Sequence, residues 1–287
     1  MWLMYALLSA VFFGLRGVLY HWTSKKGLER NLMLFGVFFT GAVVCSAISF
    51  ILRQQWSYAT LTGIFMGLFS FGANASIFKG FAVGKASLVA ILTGLPPVVV
   101  VVLAYLLWEE APTLLQLAAF IVIVAGILLV RYSNDLRLGN LQGAQWGLLA
   151  MLFFGLNDMA VKQSTRLEAD LFPTLTNMFI VGSVLFCIGW LFDRRRARLS
   201  GAKPSLWSVP RTFLTGMLVG TTNVIGMITI ATAFDLGITG LVSAVVALNV
   251  LIILLYSRIF LREKFKPVEL TGIVTAMAGL ILLRLFD

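Results

Sequence analysis

Ten long apolar runs, separated by short clusters of charged, proline or polar residues, occupy the chain at about 2–22, 31–52, 58–80, 86–107, 113–131, 143–163, 171–192, 208–234, 240–260 and 267–284. Each approximates the ~20 residues a helix needs to cross a ~30 Å hydrocarbon core. The pattern therefore predicts ten transmembrane helices, which we number spans 1 to 10. The connections are short, and the longest, from Asp193 to Arg211, is rich in arginine, so no soluble domain is expected between spans. Segments alternating with period 2 are absent, which excludes an outer-membrane barrel. The first run is too long for a signal-peptide core and lacks a basic leader and a small-residue cleavage site, so it reads as span 1. An even number of spans puts both termini on one side of the membrane.

The runs also repeat. A shift of 153 residues lays Leu61-Thr62-Gly63 on Leu214-Thr215-Gly216, Gly67 on Gly220, Gly84 on Gly237, Glu110 on Glu263, Ala125-Gly126 on Ala278-Gly279 and Arg131 on Arg284. Earlier in each half, a shift of 141 lays Phe12-Phe13-Gly14-Leu15 on Phe153-Phe154-Gly155-Leu156, Phe38 on Phe179 and Gly41 on Gly182. The two shifts differ by 12 residues, which the long arginine-rich connection absorbs. The chain reads as a duplicated five-helix unit, 1–137 and 138–287. Five is odd, so the second unit enters the membrane from the opposite side. The expected fold is an all-α integral membrane protein of two inverted five-helix repeats. In such folds a substrate site lies between the repeats near the midplane, and one half rocks against the other.

Composition agrees: 60% of residues are hydrophobic and 12% charged, against ~45–50% and ~25% in soluble domains. The 22 Lys and Arg exceed the 12 Asp and Glu, for a net charge of +10. In a soluble chain that excess would point to nucleic acid. In this chain it sorts by topology. Arg16 apart, the odd-numbered connections carry 17 of these cations, and the even-numbered connections and termini carry four, Arg53, Lys162, Arg166 and Arg284. The positive-inside rule then places both termini outside the cytoplasm, and no nucleic-acid partner is expected. Cys45 and Cys187 lie inside spans 2 and 7 without metal-ligand spacing and read as packing residues. His21, beside Trp22 at the end of span 1, reads as an interfacial anchor. One histidine and two cysteines do not make a zinc site, so neither metal nor cofactor is expected. No cluster of Asp, His or Cys suggests an intramembrane enzyme.

Leu106-Leu107-Trp108-Glu109-Glu110 followed by the Gly126 helix, and Phe260-Leu261-Arg262-Glu263-Lys264 followed by Gly279, form two matching acidic turns. They resemble the turn between the fourth and fifth helices of each unit in ten-helix members of the drug/metabolite transporter superfamily that carry two EamA domains. Phe-Gly in spans 1 and 6 stands where that family commonly has Trp-Gly and a small polar pair; Asn157 matches the pair and Arg16 departs from it. The resemblance covers essentially the whole chain. It implies a secondary active transporter, of the exporter type, for a small polar metabolite that is amino-acid-like or anionic. It further implies a bacterial cytoplasmic (inner) membrane and cytoplasmic termini, the reverse of the cation count. A flippase for a lipid-linked or amphipathic phosphate is the alternative, and a non-transport scaffold a more distant one. The partners expected are the substrate, the lipid bilayer and a coupling proton, with the oligomeric state open.

Ionisable groups at lipid depth are costly and usually face a cavity or a partner. Arg16, within Gly14-Leu15-Arg16-Gly17, is the clearest, with Tyr20 one turn on and Phe12 one turn back to receive its guanidinium. Facing a cavity it would bind a carboxylate or phosphate; otherwise it snorkels to the nearer interface. Asp158 in span 6 has three roles open: an ion pair with Lys162 at i+4, a proton-coupling carboxylate, or the partner of Arg16. The helical rise sets Arg16 and Asp158 about 14 Å apart in height, which disfavours the last. Asn74, Asn157, Asn223 and Asn249 complete the expected substrate pathway, and Asn177 is a further amide at lipid depth. For these amides interhelical hydrogen bonding competes with substrate contact. Gly63-x-x-x-Gly67 and Gly216-x-x-x-Gly220 read as packing faces inside each half. In span 4, Gly94-Leu95-Pro96-Pro97 must break the helix, so Pro96 and Pro97 mark a hinge or gate. The matching positions of span 9 carry Asn249 instead of a break. Glu110, Glu263 and Asp235, at helix ends, read as solvated.

Overall fold

The computed structural model describes residues 1–24, 26–83, 86–131, 143–199, 207–260, 262 and 266–285. Among these, all regular structure is helical: α1 (Trp2–Ser24), α2 (Arg30–Ile51), α3 (Thr62–Val83) after a 3₁₀ turn at Tyr58–Leu61, α4 (Ala86–Leu92), α5 (Pro96–Trp108), α6 (Leu114–Arg131), α7 (Ala144–Arg166), α8 (Leu171–Leu199), α9 (Val209–Leu236), α10 (Thr239–Val246), α11 (Asn249–Phe260) and α12 (Pro267–Leu285). α4 with α5 makes span 4 and α10 with α11 makes span 9, so ten spans are long and apolar enough to cross a membrane. The protein is an integral multi-pass membrane protein. The boundary expected between residues 137 and 138 lies outside the described residues.

Two expectations about individual spans change. α8 does not stop near residue 192 but continues to Leu199. Its arginines stand in the last turns, where cations complement the carbonyl end of the helix, and the Arg194 guanidinium lies 5.4 Å from the Trp190 ring centre. Span 9 is broken after all. α10 ends at Val246 and α11 starts at Asn249, at the level where span 4 breaks between Leu92 and Pro96. In span 4 the prolines occupy the first turn of α5, where a missing N–H costs no hydrogen bond. In span 9 a turn at Ala247–Leu248 achieves the same without proline.

The repeat is written into the backbone. Gly27 and Glu168, related by the shift of 141, adopt left-handed conformations (φ 66° and 53°) just after spans 1 and 6. Glu109 and Arg262, related by the shift of 153, do so (φ 54° and 57°) at the ends of spans 4 and 9. The broadest helix contacts pair one half with the other: α1 with α9 and α7 with α3, α2 with α9 and α8 with α3, α2 with α8, and α6 with α12. At the centre of the α2–α8 crossing, the Phe38 ring fills the space left by Gly182 and the Phe179 ring that left by Gly41. The two rings meet edge to face with centres 5.7 Å apart. Both ends of this helix pair are tied. Trp190 Nε1 donates to Glu29 Oε2 at 2.6 Å and Asn31 Nδ2 to Asp193 Oδ2 at 2.7 Å. At the other end the Phe172 amide donates to Gln54 Oε1 at 3.0 Å and the Gln55 amide to Asp170 Oδ2 at 2.6 Å.

The glycine pairs correct a further expectation. Gly63 and Gly67 of α3 lie against Thr174, Asn177, Met178 and Val181 of α8, and Gly216 and Gly220 of α9 against Met33, Gly36, Val37 and Thr40 of α2. These faces join the halves; they are not internal to each. Gly126 on Ala276 and Gly279 on Ile123 do the same for α6 and α12. Small residues permit backbone approach where lipid gives no hydrophobic drive to associate. Large apolar side chains such as Phe50, Leu106, Leu218 and Val274 point outward, as suits a lipid-facing surface. Cys45 is buried, and both cysteines are free thiols.

Candidate substrate cavity

Between the halves, at the level of the two broken helices, lies a cavity of about 240 Å³. That is below the ~300–1,000 Å³ of pockets for drug-sized ligands and fits a small metabolite. Arg16, Tyr20, Asn74, Pro96, Pro97, Asn157, Asp158, Asn223 and Asn249 all line it. Its walls come from both repeats and include the breaks themselves, through Thr93, Pro96 and Pro97 on one side and Val246, Ala247 and Asn249 on the other. Freed backbone groups at lipid depth are tolerated where they line such a cavity.

Arg16 does not snorkel. Its Nη1 donates to Asn223 Oδ1 on α9, and its guanidinium lies 4.4 Å from the Phe13 ring centre and 5.7 Å from that of Tyr20. Phe13, three residues back, takes the role expected of Phe12. The repeat supplies the counterpart: Asn157 stands where Arg16 stands, Ser70 where Asn223 stands, and Ser70 Oγ donates to Asn157 Oδ1 at 3.1 Å. Asn74 Nδ2 donates to the Ser70 carbonyl of its own helix at 2.8 Å. Asn177 works as interhelical glue, donating to the Thr60 carbonyl at 3.0 Å, and is not on the cavity wall.

Asp158 pairs with neither Arg16 nor Lys162. Its Oδ2 accepts from Ser243 Oγ of α10 at 2.6 Å. Lys162 is drawn away because its Nζ reaches the carbonyls that α9 leaves open at its end, Phe234 O at 2.6 Å and Gly237 O at 3.0 Å. A helix leaves its last carbonyls without partners, and the Lys162 ammonium satisfies two of them while Asp158 takes the Ser243 hydroxyl. Glu110 is not a solvated loop group either. Its carboxylate accepts from the Thr239 amide at 2.7 Å and from Thr239 Oγ1 at 2.6 Å, capping the N-terminus of α10 from the other half. α10 is thus pinned by Glu110 at its start, by Lys162 at the turn before it and by Asp158 in its second turn. Glu263 lies outside the described residues; Asp235 is exposed. His21 packs edge to face on Tyr256, centres 6.1 Å apart.

Four polar cavity residues escaped the sequence reading, Arg131 foremost. Arg131, the last residue of α6, turns inward and lines the cavity. Its Nη1 donates to Ala90 O at 2.6 Å and Thr93 Oγ1 at 3.0 Å, taking a carbonyl freed by the break in span 4. Gly94 leaves room for it, since a Cβ there would come within 2.9 Å of Arg131 Cδ. By position Arg131 looks like any cation at the end of an apolar run, and its repeat partner Arg284 is an exposed residue of that kind. Ser70, Thr93 and Ser243 were also missed, as small hydroxyls are common in membrane helices. Among the described residues, no three His, Cys, Asp or Glu side chains are placed to hold a metal ion.

Inverted five-helix repeats around a central polar cavity define the architecture of a membrane transporter. The sequence profile of the EamA-like transporter family matches residues 1–132 and 141–285; the chain belongs to this family, within the drug/metabolite transporter superfamily. One solved crystal structure is similar over 99% of this chain and 96% of its own, with a TM-score of 0.77 at 15% identity, which shows a common fold. No curated protein matches the chain.

Proposed function

We propose that this protein is a secondary active transporter that moves a small polar organic metabolite with an anionic group, outward across a bacterial cytoplasmic membrane, by alternating access. The observation that carries the proposal is the cavity between the halves, with Arg16 held by Asn223 on its wall. A guanidinium fixed at lipid depth is costly and suits a carboxylate or phosphate by charge and by its forked donors. The broken helices α4–α5 and α10–α11 border the cavity and are the natural hinges, with Tyr20, Asn74, Asn157, Asn223 and Asn249 offering polar contacts. Asp158, on the same wall and hydrogen-bonded to α10, is the candidate proton-coupling carboxylate.

The test is counterflow of radiolabelled organic anions in proteoliposomes. Wild-type protein should exchange them, and Arg16→Gln should reduce exchange to the protein-free rate while still purifying as a monodisperse species. Asp158→Asn should retain exchange but lose its response to an imposed pH gradient. Full anion exchange by Arg16→Gln would refute the anchoring role, and an unchanged gradient response in Asp158→Asn would end the coupling role.

A further inference from the structure

The cavity wall carries more hydrogen-bond donors than its own groups satisfy. Asn223 gives its oxygen to Arg16, while its Nδ2, on a side chain 1% exposed, is buried without a partner. Arg131 commits Nη1 to Ala90 O and Thr93 Oγ1, but its Nε is likewise buried and unpartnered. Among the described residues neither guanidinium meets a carboxylate. The carboxylate on the wall, that of Asp158, is bonded to Ser243. Unmet buried donors are rare in native structures, and these two belong to residues that line one cavity, so the wall holds two guanidiniums against a single carboxylate.

The two groups of donors are separate. Arg16 and Asn223 lie at mid-depth, bracketed by Phe13 and Tyr20. Arg131 sits at the end of α6, held against the break in span 4. Each guanidinium is held by its own neighbours, Arg16 by Asn223 of α9 and Arg131 by Ala90 and Thr93 of span 4, so the wall presents two docking points for acidic groups. We infer that the ligand is a small dianion, with one acidic group on Arg16 and Asn223 and a second on the guanidinium of Arg131, the other cation on the cavity wall. The inference rests on the cavity being the anion site proposed above and adds a second anionic subsite to it. It also seats the second acid on the broken helix, next to the carbonyl that Arg131 ties down.

The test is thermal stabilisation of the detergent-purified full chain by matched probes: succinate, monomethyl succinate and the straight-chain dicarboxylates from malonate to adipate. Wild-type protein should respond to one of the dicarboxylates at about tenfold lower concentration than to monomethyl succinate, the ratio that ~1.4 kcal/mol of extra contact supplies. Arg131→Gln should abolish that preference and leave the response to monomethyl succinate; Arg16→Gln should lose both. The probe series on wild-type protein requires no variant to fold. Equal responses to monoacid and diacids, or a dicarboxylate preference that survives Arg131→Gln, would overturn the second subsite and leave the Arg16 site standing. No stabilisation by any probe would overturn the anion site itself, and the second subsite with it.

Discussion

Adding one methyl group to Gly63 should unseat the two halves from each other. A Cβ at that position would come closer than 3.0 Å to the Thr174 carbonyl oxygen and within 2.9 Å of Asn177 Cβ, both on α8. The first obstacle is backbone, which cannot swing aside, so α3 and α8 must separate along their length. Overpacking of this kind costs about 1–3 kcal/mol. Against it stands the gain of Ala over Gly in a helix interior, roughly 0.5–1 kcal/mol. Backbone contact puts Gly63→Ala at the upper end of the penalty, leaving a net loss of about 2 kcal/mol. Gly216→Ala, its repeat partner, meets the Met33 carbonyl of α2 in the same way and should behave alike. Gly189→Ala is the control: its nearest neighbour is Asn31 Nδ2 at 3.2 Å, a side-chain end also bonded to Asp193, so a small shift there and the propensity gain of roughly 0.5–1 kcal/mol offset and its melt should stay close to wild type. In a thermal melt of purified protein, 2 kcal/mol corresponds to a fall of about 4–8 °C. With a protease site placed in the 132–142 connection, wild-type fragments should co-elute after cleavage and Gly63→Ala/Gly216→Ala fragments should separate. A Gly63→Ala melt at or above wild type, or no different from Gly189→Ala, would refute the argument that these glycines seat one half on the other.

The pins on α10 give a second prediction. Lys162→Met removes an ammonium from Phe234 O and Gly237 O and should cost about 1.5–3 kcal/mol, while Glu110→Ala removes the cap on Thr239 and should cost about 1 kcal/mol. Both should speed hydrogen exchange in α10 before any other helix, and uniform protection across the helices would refute them. Orientation gives a third. With Cys45 and Cys187 replaced by Ala, the 17-to-4 cation asymmetry predicts that Tyr58→Cys reacts with a membrane-impermeant maleimide in intact cells and Arg198→Cys only after permeabilisation. The reverse pattern would place the termini in the cytoplasm.

How far the sequence discloses this molecule depends on what each residue is required to satisfy. Lipid allows only internally bonded backbone to cross it, so the ten apolar runs map onto ten helical spans and the odd repeat forces inversion. Arg16, Asn157, Asp158 and Asn223 stand out because polar groups inside apolar runs need partners. The partners themselves were not legible. Lys162 is four residues from Asp158, yet carbonyls more than seventy residues away hold it. Span 9 breaks with no proline to announce it.

The repeat comparison separates the two kinds of position in a way neither half shows alone. Where the halves are identical, at Gly63 and Gly216, Gly41 and Gly182, Phe38 and Phe179 or Gly126 and Gly279, the residues pack one half on the other. A contact across a pseudo-two-fold axis must be satisfied twice, so both copies keep the same residue. At the polar positions of the cavity the halves disagree: Arg16 against Asn157, Asn223 against Ser70, Asp158 against Gly17, Ser243 against Ala90, Pro96 against Asn249. A small ligand seated off that axis meets each half differently, so the wall that binds it need not repeat, whatever the ligand's own symmetry. Arg131 belongs to the same class although its residue type repeats, because Arg131 turns inward and Arg284 lies exposed. Matching residues across an inverted repeat report the seam; the asymmetry along that seam reports the ligand.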